Sequence, residues 1–123
     1  MGKHVEIRWR DEPGEDNYPA AESYLSLLYD ERAAAKLVMR LRRAKPSEFK
    51  AKDIFRASGL SLLGISNSHV KADRKKILAG RKLSPLLLVR DGERSRVVIA
   101  DGYHRLCSVY AFDEDARIPC KIV

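Results

Sequence analysis

Between residues 20 and 42 the apolar positions fall into two helical sets. Ala21, Tyr24, Leu25 and Leu28 keep the i, i+3, i+4, i+7 spacing, and Ala34, Leu37, Val38 and Leu41 repeat it. Equivalent positions lie thirteen residues apart. At 100° per residue the two stripes are about 220° apart, so one straight helix would face two ways. A break near Asp30-Glu31 resolves the conflict and predicts two helices. Upstream, "HVEIRW" (4–9) alternates weakly as a strand does, and "RDEPGEDNYP" (10–19) reads as a turn-rich connector. Downstream, Ser47 and Glu48 ahead of "FKAKDIFRASG" suggest a capped short helix closed by Gly59. "LSLLGIS" (60–66) suits either a strand or a buried turn. "SNSHVKADRKKILAG" (66–80) has Ser and Asn cap candidates, apolar Val70, Ile77 and Leu78, and a glycine stop, which predict a helix.

From residue 84 the period changes. "SPLLLV" (84–89) is an apolar strand after a proline, "RDGERSR" (90–96) a polar turn, and "VVIA" (97–100) a second strand. After Asp101-Gly102, Tyr103, Leu106, Cys107 and Tyr110 return to helical spacing. "DEDAR" (113–117) is a loop, and "IPCKIV" (118–123) a closing strand alternating Ile118, Cys120 and Ile122. No internal repeat, low-complexity tract or linker interrupts the pattern. One domain over residues 1–123 is expected.

Composition adds bounds. An apolar fraction of 45% with 33% charged residues describes a globular chain. No apolar run is long enough for a membrane span, the opening residues lack a signal-peptide core, and Glu6 stands where a myristoylation signal has Ser or Thr. A cytoplasmic protein with no membrane partner is expected. Cys107 and Cys120 form no metal pattern and no redox pair, and their apolar neighbours make them small core residues. The net charge of +7 favours polyanionic partners. One concentration of it is Lys36, Arg40, Arg42, Arg43 and Lys45. This cluster reads either as a solvated face that complements a helix C-terminus or, alternatively, as a surface contacting the phosphates of DNA or RNA. Charge runs are usually solvated faces, which favours the first.

The chemistry concentrates at the seam "ADGYHR" (100–105), where a strand runs directly into a helix. A helix start carries unpaired amides and partial positive charge and so suits an anion. Gly102 lets a ligand or a tight turn come close to the backbone, and His104 and Arg105 add cationic donors in the first turn. Cations at that end of a helix are unfavourable unless an anion neutralises them. The competing reading makes Asp101 an N-cap, Gly102 a turn residue, and His104 and Arg105 solvent-facing. The phosphate reading requires the imidazole and the guanidinium to converge on a vacancy and not to be neutralised by internal carboxylates.

The stretch "SPLLLVRDGERSRVVIADGYHRLCSVYAFDEDARIPCKIV", with the helix before it, resembles the shared domain of the ParB and sulfiredoxin superfamily over residues 66–123. That family has a helix, a Pro-led strand, a second strand, a Gly-x-His-Arg or Gly-Glu-Arg-Arg segment opening a helix, and a closing strand. The resemblance implies an α+β fold, a small mixed sheet packed with helices, with residues 1–65 as a mainly helical N-terminal part. It also implies a nucleoside di- or triphosphate, such as ATP, ADP or CTP, bound with Mg²⁺ by Gly102, Tyr103, His104 and Arg105, with Asp101 available to the metal. His69, Ala72 and Lys76 on the preceding helix fall where relatives contact the nucleotide, with Lys75 as the substitute if the register shifts by one. His69 and Lys76 share a helix face. In sulfiredoxins the residue at Tyr103 is the catalytic cysteine; a phenol lacks thiolate chemistry near neutral pH, so sulfinic-acid reduction is not expected. In partition proteins of the ParB type a helix-turn-helix follows the domain; this chain ends at the closing strand, so centromere-like DNA recognition is not expected. Free-serine kinases of this fold carry Asp-Gly-x-x-Arg, close to "DGYHR", and an earlier acidic residue for which Asp53 and Asp73 are candidates. The resulting expectation is a nucleotide-binding protein, a small kinase or NTPase in one version, with a DNA- or RNA-binding adaptor as the alternative.

Overall fold

A computed structural model describes residues 5–64 and 66–123. It is a mixed α+β fold. In chain order the elements are β1 (Arg8–Trp9), α1 (Asn17–Leu28), α2 (Glu31–Arg43), β2 (Ser47–Lys50), α3 (Ala51–Ser58), α4 (Ser68–Leu78), β3 (Lys82–Leu83), β4 (Leu86–Asp91), β5 (Arg96–Asp101), α5 (Tyr103–Phe112) and β6 (Arg117–Ile122). The main sheet has the order β2-β6-β4-β5, with β4 parallel to β6 and the other pairs antiparallel; β1 and β3 form a separate parallel pair.

Period-two alternation divides the core into two layers. Leu86, Leu88, Ile99, Ile118 and Cys120 pack with α3, α4 and α5, whereas Leu87, Val89 and Ala100 pack with α1 and α2. The unbroken apolar run of β4 follows from this, since a strand covered on both faces needs apolar residues on both. The helix break falls where the conflicting stripes place it: α1 ends at Leu28, and the Asp30 carboxylate accepts the Ala33 amide at 2.8 Å to cap α2. Ala21, Leu25, Ala34, Val38 and Leu41 are buried, but Tyr24 and Leu28 are exposed. Asn67 caps α4 through the His69 and Val70 amides. Val5, Ile7 and Trp9 pack on the core, which accounts for the weak alternation of 4–9; His4 lies outside the described residues.

Two expectations are corrected. Ser47 and Glu48 do not cap a helix. They belong to edge strand β2, paired from Ser47↔Cys120 to Lys50↔Arg117, and the helix starts at Ala51. The open edge of β6 offers this segment a full ladder of backbone hydrogen bonds, which outweighs a local capping preference. Residues 60–64 form neither strand nor helix, with Leu63 against the core and Leu60 and Leu62 exposed; Ile65 lies outside the described residues. Among the described residues no helix is long and apolar enough to cross a membrane.

Candidate functional site

Strand β5 ends at Asp101, paired with Leu87, and Gly102 turns the chain into α5 with φ +108°. A Cβ at Gly102 would stand 2.7 Å from Leu86 Cγ and 2.9 Å from Arg105 Nη2. Glycine is required twice here, by backbone conformation and by space. Asp101 is therefore not the N-cap. That position belongs to Gly102, and no side chain caps the helix. The Asp101 carboxylate instead accepts Arg105 Nη2 at 2.9 Å, and the same nitrogen reaches the Pro85 carbonyl at 3.4 Å. Both side chains are more than four-fifths buried. Arg105 Nε is buried without a hydrogen-bond partner among the described residues.

Helix α4 runs beside α5, tied by Ser108 Oγ donating to the Val70 carbonyl at 2.8 Å. One cavity of about 270 Å³ lies between them. From α4 it is lined by His69, Ala72, Asp73 and Lys76, positions i, i+3, i+4 and i+7 of a single face. From the seam it is lined by Asp101, Gly102, Tyr103, His104 and Arg105. All seven residues assigned to phosphate from the sequence thus share one cavity, together with Ala72. Lys76 lines it and Lys75 does not. Asp73, named in the sequence without a place, stands among them. Its signal was the spacing, four residues after His69 and three before Lys76. Asp53 lies elsewhere, 3.7 Å from Arg56 in a solvent-exposed pair.

The charges are nearly balanced. Arg105 is matched by Asp101, and Lys76 Nζ lies 3.9 Å from Asp73. The expectation of two unneutralised cations is corrected for Arg105, whose guanidinium is held by an internal carboxylate; that carboxylate is the anion a cationic first turn demands. His69 and His104 face each other with ring centroids 4.7 Å apart. Burial, then repulsion from His69, holds the His104 imidazole below its ordinary value, so His104 is not a fixed positive charge at neutral pH. Burial raises the Asp73 carboxyl above the usual range against the pull of Lys76, Arg105, His104 and His69. Tyr103 does positional work: its hydroxyl donates to the Ser61 carbonyl and pins the 60–64 segment beside the seam. Burial pushes its phenol up, along with the Cys107 thiol, which is fully enclosed in the core. The Cys120 thiol is pushed up to about 11 by burial, in keeping with core roles for both cysteines.

A second cavity of about 420 Å³ opens on the other side of the seam. It shares Asp101, Gly102, Tyr103 and His104 with the first and is completed by Ala20 and Tyr24 of α1 and by Leu60, Ile99 and Ala100. No local pattern announces this wall, because α1 is distant in the chain. Among the described residues no group of three or more His, Cys, Asp or Glu side chains is placed to hold a metal ion, and the carboxylate expected to do so, Asp101, is engaged by Arg105.

The basic cluster does not join either cavity. It sits on and after α2, which packs on the opposite sheet face from α4 and α5. Arg42 is paired with Glu15 at 2.7 Å and lies over the Tyr18 ring, while Lys36, Arg40, Arg43 and Lys45 are exposed and form no ion pair among the described residues. Arg40, Arg42 and Arg43 occupy the last turn of α2, where cations complement the helix dipole. Comparison with protein-family models, curated proteins and solved structures finds no match to this chain.

Proposed function

We propose that the protein binds the phosphates of a nucleoside di- or triphosphate in the cavity between α4 and the β5–α5 seam, as its resemblance to ParB/sulfiredoxin-like proteins implies. One observation carries the reading: His69, Lys76, Asp101, Gly102, Tyr103, His104 and Arg105, separated by up to thirty-six positions in the chain, line a single cavity. The uncapped α5 amides and Lys76 act as the anion donors. The version of the reading that required a free guanidinium falls with the Asp101 pair; what is proposed rests on the amides, Lys76 and the cavity they share, and Arg105, held by Asp101, braces the turn. The His104 imidazole, held below its ordinary value by burial, takes up a proton when an anion arrives, since negative charge favours its cationic form. Magnesium, bound to the nucleotide, would neutralise its phosphates in this cavity.

Titration calorimetry with ATP, ADP and CTP, with and without Mg²⁺, tests this on protein whose folding is checked by a cooperative thermal transition. Binding of at least one nucleotide is expected, with tighter binding at pH 6 than at pH 8 because binding is coupled to proton uptake. No heat and no shift in thermal midpoint at millimolar nucleotide removes the reading.

A further inference from the structure

The periodicity of residues 21–28 assigns Tyr24 to the core, yet Tyr24 is 42% exposed while Ala21 and Leu25, beside it on α1, are fully buried. The part of the Tyr24 ring not spent on core packing faces a cavity it lines and is free to contact a ligand there. Tyr24 lines the second cavity beside Ala20, Leu60 and Ile99, and Leu60 is also exposed, at 45%. Among the described residues this compartment is lined by no Lys or Arg, in contrast to the neighbouring cavity with Lys76 and Arg105. The two share the seam residues Asp101 to His104, so a ligand anchored at the α5 amides extends into the apolar compartment without leaving the protein surface.

We infer that this apolar compartment receives the base of the nucleotide, with Tyr24 as the platform on which the ring lies. The inference rests on the phosphate reading above and adds the part of the ligand that reading leaves open. A planar, weakly polar ring suits a wall of two tyrosines and several aliphatic side chains, and stacking on an aromatic residue is tolerant of base identity. The loop bearing Leu60 is held beside the seam by the Tyr103 hydroxyl on Ser61, so the compartment and the phosphate cavity are built on the same support. A free polyphosphate would use one compartment, a nucleotide both.

Calorimetry with inorganic triphosphate, ATP and CTP, all with Mg²⁺, on the wild-type chain and on Tyr24→Ala and Tyr24→Phe separates the two ideas. Tyr24 is exposed, so neither variant opens a hole in the core. The better of the two nucleotides is expected to bind about tenfold or more tightly than triphosphate, the scale of one base–aromatic stack. Tyr24→Ala should erase that advantage and leave triphosphate affinity unchanged, and Tyr24→Phe should keep it. If triphosphate binds but neither nucleotide gains over it, or if Tyr24→Ala leaves the gain intact, the base site is wrong and the phosphate site stands. If none of the three binds, the phosphate site is wrong and the base site falls with it.

Discussion

Asp73 shows most directly how the cavity differs from an ordinary surface. Its side chain is 14% exposed, and burial raises its carboxyl above the ordinary 3.8 despite four basic neighbours, Lys76, Arg105, His104 and His69. A carboxyl whose folded value is raised binds its proton more readily in the native state. The cost of ionising it is therefore present above the folded value and disappears as pH falls toward 3.8. Asp73→Asn is thus expected to raise the thermal midpoint by a few degrees at pH 7, with the gain fading in acid; midpoints measured by calorimetry across that range check it. The half-exposed partner Lys76 supplies little to oppose this. A midpoint that drops at pH 7 would mean the carboxylate stabilises the fold and is no burden on it. Much of this cavity's lining was legible residue by residue, because His69, Ala72 and Lys76 lie on one helix face and Gly102 to Arg105 are contiguous. The engagement of Arg105 by Asp101 was not. Asp101 precedes a helix and so looks like a cap, and only the left-handed turn at Gly102 shifts the cap by one residue and frees the carboxylate to fold over the guanidinium.

At the scale of elements, the seam depends on a strand and a helix meeting through one residue. Gly102 and Gly80 both have positive φ, but a Cβ at Gly80 meets nothing within 4 Å, whereas at Gly102 it meets the buried Leu86 and the Arg105 guanidinium. Gly80→Ala therefore carries backbone strain alone, about 1–2 kcal/mol. Gly102→Ala adds steric overlap in a packed interior and is expected to cost about 1–3 kcal/mol more. Parallel urea unfolding of the two variants gives the difference directly, and equal losses would show that Leu86 and Arg105 yield freely. The same contrast explains which elements could be read from the chain. Helices α2, α4 and α5 and strands β4 and β5 announce themselves through local period and turn residues. Strand β2 does not: its four residues carry no strand period and exist as a strand only because β6, some seventy positions later, offers them an edge.

For the molecule as a whole, that dependence on distant partners decides what the first 65 residues do. The resemblance over 66–123 makes them an addition to a core, but the packing makes them part of it. Leu87, Val89 and Ala100, on the inner strands β4 and β5, are at most 5% exposed only because α1 and α2 cover them. The outer edge of β6 is closed by β2, and α3 contributes Ile54 and Phe55 to the opposite layer. Lys121 of β6 is buried to 3% exposure, its ammonium donating to the Arg42 carbonyl at 3.0 Å and lying 3.3 Å from Glu12, so even the polar anchoring of the closing strand comes from the N-terminal part. A fragment of residues 66–123 would present one bare apolar sheet face and an open strand edge, the two features that favour association over folding. It is expected to show no cooperative thermal transition and to bind a hydrophobic dye, whereas the full chain unfolds cooperatively. A fragment that melts sharply as a monomer would restore the view of an added N-terminal part. With α1 integral to the core, Tyr24 is held on a fixed helix beside the seam, which is the rigidity a base platform needs.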